Sequence, residues 1–158
     1  GRAKFKPESD DIDLFVTNMS PLLEEDLFKE IGVEHGWEVS QTWLGTPRFT
    51  VNVDEREVNA DLYENILDFY IPDEVLKDNV RVNVSGLRLR CLTIEGYVIL
   101  KARAGRDFDE VDLRNLKVLE SRGAIKIDKR KVVKYLKAYP DEDKGYIEHR
   151  LKKVGFLT

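Results

Sequence analysis

Hydrophobic and polar positions change their spacing along the chain, and the change predicts an α+β protein. Alternation with a period of two predicts strands at residues 12–16, 37–43, 48–53, 57–63, 79–84 and 87–92. Helical spacing of apolar residues predicts helices at 20–32, 94–104, 108–122, 128–139 and 143–154. We therefore expect a small mixed β-sheet of about five strands flanked by helices, with a helical carboxyl-terminal part.

Capping residues set the expected ends of two helices. Ser20 can cap the first helix, and Gly32 is expected to end it. Thr93 is a good amino-terminal cap for the helix that starts at Ile94, and Gly105 is a plausible stop.

Composition indicates one packed globular protein. Apolar residues make up 42% of the 158 residues and aromatic residues 9%, which is enough for a buried core. No apolar run is long enough for a membrane span, so no membrane partner is expected. The single cysteine cannot form an internal disulfide, and a cytoplasmic location is the default. We expect a main domain over residues 1–120 and a basic helical tail over 121–158 packed on it.

Charge is distributed unevenly along the chain. Residues 1–112 hold 13 Lys and Arg against 24 Asp and Glu, whereas residues 113–158 hold 13 against 6. An acidic part followed by a basic tail suits metal binding in front and contact with a polyanion such as RNA behind. A lysine-rich helix face that is simply solvated explains the tail as well.

Three aspartates form the candidate chemical site. Asp11 and Asp13 lie two apart on a predicted strand, so they project from one face, while Ile12, Leu14 and Val16 are expected to face a core. Neighbouring carboxylates repel each other, and a divalent cation would remove the conflict. Asp61 has a similar strand setting and would complete the set if the two strands are adjacent. Acidic pairs at strand ends also serve as turn formers or caps.

The segment Ser9-Asp10-Asp11-Ile12-Asp13-Leu14-Phe15-Val16 resembles the signature strand of the nucleotidyltransferase superfamily, which has the polymerase-beta-like fold. It is most similar to the small prokaryotic branch of minimal nucleotidyltransferases and abortive-infection toxin relatives. Two later segments also fit that branch: they are 92–101 (LTIEGYVILK) and 104–113 (AGRDFDEVDL). The resemblance covers residues 8–120.

The resemblance implies Mg²⁺ or Mn²⁺ as cofactor and a nucleoside triphosphate as substrate. It implies that Asp11 and Asp13 bind the metals, and that Asp61 acts as base and second-metal ligand. Lys101 would meet the triphosphate or a site carboxylate, although a surface lysine explains it equally well. Ser9 would bond phosphate, although a turn cap is an alternative.

The expected function is metal-dependent transfer of a nucleoside monophosphate to a hydroxyl of protein, RNA or a small molecule. The family places a Gly-Ser or Gly-Gly turn before the Asp-x-Asp strand, and the ten residues before Asp11 contain no such turn. If the turn does not lie upstream, an inactive binding module is the alternative, acting as an antitoxin-like or regulatory partner. A further alternative function is that of an RNA-contacting protein. The possible protein partners are a second copy of the chain or the other member of a toxin–antitoxin pair.

Overall fold

The computed structural model describes residues 11–158, which form an α+β protein with helices in the carboxyl-terminal part. The strands are β1 (Asp11–Phe15), β2 (Glu38–Gln41), β3 (Pro47–Val53), β4 (Arg56–Tyr63), β5 (Asn79–Val84) and β6 (Leu87–Leu92). The helices are α1 (Glu25–His35), α2 (Asp73–Lys77), α3 (Ile94–Ala104), α4 (Asp107–Ser121), α5 (Lys129–Ala138) and α6 (Asp141–Val154). The predicted fold class is confirmed, with the strands divided between a four-stranded and a two-stranded sheet.

The chain divides into two compact units, Gly1–Tyr70 and Ile71–Thr158. In its described part, the first unit consists of α1 and the sheet of β1 to β4, and the second consists of the hairpin β5–β6 and helices α2 to α6. The separate tail domain over 121–158 stays a prediction. None of the helices between residues 11 and 158 has the length and apolar character needed to cross a membrane.

The sheet of the first unit has the strand order β1-β4-β3-β2. Strand β1 runs parallel to β4, and the other neighbours are antiparallel. The turn between β3 and β4 is tight, since Asp54 and Glu55 both have positive φ angles of 49° and 64° and Val53 pairs with Arg56. Such two-residue turns fix the register of a hairpin.

Helix α1 covers β2 and β3 and buries Phe28, Phe49 and Leu62 in the core of the first unit. The prediction that Gly32 ends this helix is wrong. Gly32 is a buried helical residue, and a Cβ there would lie 2.1 Å from Val39 Cγ2. The glycine is therefore needed for close packing of the helix on β2, and the helix ends one turn later at Gly36, where φ is 68°.

The expectation that Ile12 and Leu14 are buried in a core is also wrong, whereas Val16 packs against the core of the first unit as expected. The exposed fractions of Ile12 and Leu14 are 51% and 44%. Strand β1 is at the edge of the sheet, whereas α1 packs on β2 and β3 at the other side. The apolar face of β1 is therefore not covered by that helix.

The second unit has a helical core built around α3, which packs against α4, α5 and α6. Its most deeply buried side chains are Val98, Ile99, Leu113, Val132, Tyr135, Ile147 and Leu151. Both predicted ends of α3 are confirmed. The Gly96 amide donates to Thr93 Oγ1 at 3.1 Å, and Gly105 takes the left-handed conformation with φ 64°.

Candidate active site

The parallel pairing of β1 with β4 places the three candidate aspartates on adjacent strands. Asp11 lies opposite Asn59, and Asp13 lies opposite Asp61. Residues paired across parallel strands project from the same face of a sheet, and the Asn59 side-chain amide donates to Asp11 Oδ1 at 3.1 Å. Strand pairing thus brings Asp13 and Asp61, about fifty residues apart in the sequence, next to each other.

Asp61 is held by a cationic side chain from the next strand. Arg48 lies opposite Asp61 in the β3–β4 pair, and its Nε and Nη2 donate to Asp61 Oδ1 at 2.5 Å and Oδ2 at 2.7 Å. The Tyr63 hydroxyl also donates to Oδ2, at 2.9 Å. The side chain of Asp61 is only 5% exposed and that of Arg48 is 32% exposed. This two-point pairing is the geometry in which arginine binds carboxylate most strongly.

The electrostatics of the cluster follow from this pairing. The hydrogen bonds from Arg48 lower the pKa of Asp61, and they outweigh burial, which acts in the opposite direction. The bond to Asp61 raises the pKa of Arg48, and the charge of Asp11 adds to that increase. Burial raises the pKa of Tyr63, to which Asp61 and the charge of Asp13 contribute further. The Arg48 guanidinium is therefore influenced by the charges of Asp61 and Asp11, and the Tyr63 hydroxyl by those of Asp61 and Asp13.

The carboxylate pair of β1 has the donor chemistry of a magnesium site. Mg²⁺ is commonly bound by one or two carboxylates together with waters and substrate phosphates, and Asp11 and Asp13 offer such oxygens on one sheet face. Within residues 11–158, however, no group of three or more His, Cys, Asp or Glu side chains is arranged to hold a metal ion. Both oxygens of Asp61 accept hydrogen bonds from Arg48. The roles of Asp11, Asp13 and Asp61 as metal ligands stay predictions.

Lys101 belongs to the second unit, where it has carboxylate partners of its own. Its Nζ lies 2.9 Å from Asp109 Oδ1 and 2.7 Å from Asp112 Oδ2, and its side chain is 19% exposed. Burial acts to lower the pKa of Lys101, but the hydrogen bonds to Asp112 and Asp109 raise it overall. These contacts account for a charged lysine on α3, so its role toward a triphosphate stays a prediction. Ser9 lies outside the described residues.

Arg48 is the site residue that the sequence analysis did not identify. The signal was present in the turn between β3 and β4. Once Asp54 and Glu55 are taken as a two-residue turn, Val53 pairs with Arg56, and counting back along both strands brings Arg48 opposite Asp61. The predicted strands 48–53 and 57–63 instead leave a three-residue turn at 54–56, and with that turn Arg48 would not lie opposite Asp61.

One of three comparisons with known proteins finds a match to this chain. A family model described as "Nucleotidyl transferase of unknown function (DUF2204)" matches residues 2–153. No curated protein and no solved structure matches the chain. The match extends over nearly the whole chain and includes both the carboxylate face of the sheet and the helical unit. The chain therefore belongs to this nucleotidyl transferase family.

Proposed function

We propose that the protein is a divalent-metal-dependent nucleotidyltransferase. It moves a nucleoside monophosphate from a nucleoside triphosphate to a hydroxyl of RNA, protein or a small molecule and releases pyrophosphate. The family supports the reaction class. The observation that carries the proposal is the pairing of Asp13 with Asp61 across β1 and β4, with Asp11 on the same face.

In this proposal Asp11 and Asp13 hold Mg²⁺ or Mn²⁺ beside the triphosphate. When bound, the cation would neutralise phosphate charge and make the α-phosphorus more electrophilic toward the acceptor hydroxyl. The protein's part is to hold both carboxylates so that they project in one direction. The strand geometry of β1 supports this aim, and the hydrogen bond from Asn59 to Asp11 limits the rotation of that side chain.

Asp61 is proposed as the group that receives the incoming hydroxyl, as well as a further metal ligand. An ionised carboxylate opposite Asp13 can accept a hydrogen bond from the hydroxyl and then its proton. Both oxygens of Asp61 accept hydrogen bonds from Arg48, so in either role Asp61 shares an oxygen with Arg48 or displaces it from one. Arg48 is in this proposal a positioning residue, which keeps Asp61 ionised until substrate arrives.

The experiment is transfer of label from α-³²P-ATP with Mg²⁺. Separate reactions use the protein alone and the protein with a total RNA fraction. Asp13→Asn is expected to reduce labelling at least about 100-fold, because a neutral amide is a poor ligand for a hard cation. Asp26→Asn is the matched control, since Asp26 on α1 has a side chain that is 97% exposed. Equal labelling by the two variants and the wild type would contradict the proposal.

One observation favours a second candidate, a nucleotide-binding module without transfer activity. Arg48 neutralises Asp61 without any added cation, which is what an inactive relative with a retained fold requires. This candidate predicts that ATP binds and that no pyrophosphate is released under any metal condition. The labelling experiment reports transfer, and a separate titration reports ATP binding. Binding of ATP without transfer of label supports the module.

A further inference from the structure

The exposed face of α5 is a basic groove whose three cations form no salt bridge within residues 11–158. The groove lies within the second unit, has a volume of about 400 Å³, and is lined by Glu74, Arg130, Val133, Lys134, Lys137 and Ala138. Its three cations are spaced four and three residues apart, so they lie on one side of the helix. The opposite side of α5 buries Val132, Tyr135 and Leu136. The helix is thus fixed by its apolar side, and its cations face outward.

Other cations of this unit are paired. Carboxylates of the unit form salt bridges with Lys77, Lys101, Arg103, Arg106, Arg114, Lys117, Lys131, Lys144, Lys152 and Lys153. Among residues 11–158, no salt bridge joins a carboxylate to Arg130, Lys134 or Lys137, and Glu74 is the acidic residue in the groove lining. The ammonium and guanidinium groups of the groove are therefore available to an anionic ligand.

The first turn of α5 has the wrong charge for helix stability. Its first three residues are Lys129, Arg130 and Lys131, and it contains no acidic residue. Helices α4 and α6 of the same unit begin with three acidic residues each. Cations at the positive end of a helix are unfavourable for the helix dipole. Asp128 compensates in part by accepting hydrogen bonds from the Arg130 and Lys131 amides, and Lys131 pairs with Asp78. Arg130 has no such pairing, so its charge at this end does not stabilise the helix.

We propose that this groove binds the phosphate backbone of a nucleic acid strand. Arg130 and Lys137 are seven residues apart, about 10 Å along the helix axis, which is long enough to contact more than one phosphate of a strand. Arginine and lysine are the usual donors to phosphate oxygens. The small apolar residues Val133 and Ala138 offer little to anchor a peptide, so an acidic protein segment is the less suitable occupant. The inference goes beyond nucleotidyl transfer and holds whether or not transfer occurs.

The test is fluorescence anisotropy with a labelled single-stranded RNA of about 12 nucleotides, without nucleotide or divalent cation. The triple variant Arg130→Gln, Lys134→Gln, Lys137→Gln is expected to bind at least about 10-fold more weakly. Its plot of log affinity against log salt should be shallower by about 2, since each lost phosphate contact removes about 0.7 from a single-strand slope. Glu74→Gln is expected to bind more tightly, because it removes the anion of the groove.

The matched control is the triple variant Arg114→Gln, Lys152→Gln, Lys153→Gln, which removes the same charge from cations that have partners on α4 and α6. Equal loss of affinity in the two triple variants would overturn the proposal, since RNA affinity would then depend on the net charge of the protein and not on the groove. Absence of RNA binding at about 50 mM salt would also overturn it. Single-stranded DNA should bind comparably, whereas equally strong competition by polyglutamate would assign the groove to acidic protein segments instead. Unchanged thermal unfolding of each variant verifies that its fold is intact.

Discussion

Arg48→Met is expected to lower the free energy of unfolding by about 3 kcal/mol. Removing one partner of a buried ion pair leaves the other charge uncompensated, which costs about 3–5 kcal/mol when the pair is fully buried. Asp61 is 5% exposed, but Arg48 is 32% exposed, so water compensates part of the loss. Methionine keeps most of the side-chain length, and urea unfolding followed by circular dichroism measures the difference.

The control for this variant is Arg56→Met, an exposed arginine at the start of β4. It should change the free energy of unfolding by less than about 0.5 kcal/mol, as surface substitutions generally do. If Arg48→Met is no more destabilising than Arg56→Met, then Asp61 does not depend on Arg48. The Arg48–Asp61 ion pair would then not be the main electrostatic contact of the site.

Asp109→Asn is the second variant with a large expected effect, again a loss of about 3 kcal/mol in the free energy of unfolding. The Asp109 side chain is fully buried, and it accepts hydrogen bonds from Lys101 Nζ at 2.9 Å and from the Arg106 amide at 3.1 Å. Asparagine keeps the shape of the side chain but removes the charge that balances Lys101 and Arg106. Denaturant unfolding at neutral pH measures the loss.

Asp112→Asn is the matched control, because Asp112 pairs with the same Lys101 but is 38% exposed. It should cost less than about 1 kcal/mol. Equal effects of the two variants would show that burial of Asp109 adds nothing to the pair.

The pH dependence of the Asp109 contribution has a definite sign. Burial raises the pKa of Asp109, but the hydrogen bonds from Arg106 and Lys101 lower it below its usual value overall. A lowered pKa means that the stabilisation is present above the unfolded-state pKa of about 4 and is lost as the pH falls through the folded-state value. The difference between the wild type and Asp109→Asn should therefore shrink in acid.

Local signals were sufficient for much of the fold. The ends of α3 follow from Thr93 and Gly105, whose roles depend only on neighbouring backbone. The end of α1 could not be predicted in this way, because Gly32 is determined by contact with Val39 on β2. The exposure of Ile12 likewise depends on which strands α1 covers. Such features require knowledge of packing between elements distant in sequence.

The position of the candidate site could be predicted from the sequence, but the ion pair between Arg48 and Asp61 could not. Alternation placed Asp11 and Asp13 on one strand face, and the strand-like setting of Asp61 pointed to a neighbouring strand. The sequence did not reveal that Arg48 would take both oxygens of Asp61, since that contact depends on hairpin register. A one-residue change in register would have turned Arg48 to the opposite face.

The most direct test of the account is calorimetric titration of Mn²⁺ in the presence of ATP. The wild type is expected to show saturable heat in excess of that of Mn²⁺ binding to ATP alone, whereas the double variant Asp11→Asn, Asp13→Asn should show only the heat of ATP alone while unfolding at a similar temperature. Arg48→Met should bind Mn²⁺ more tightly than the wild type, because it removes a competing positive charge beside Asp61. Identical titrations of the wild type and the double variant would contradict the claim that these aspartates hold a divalent cation.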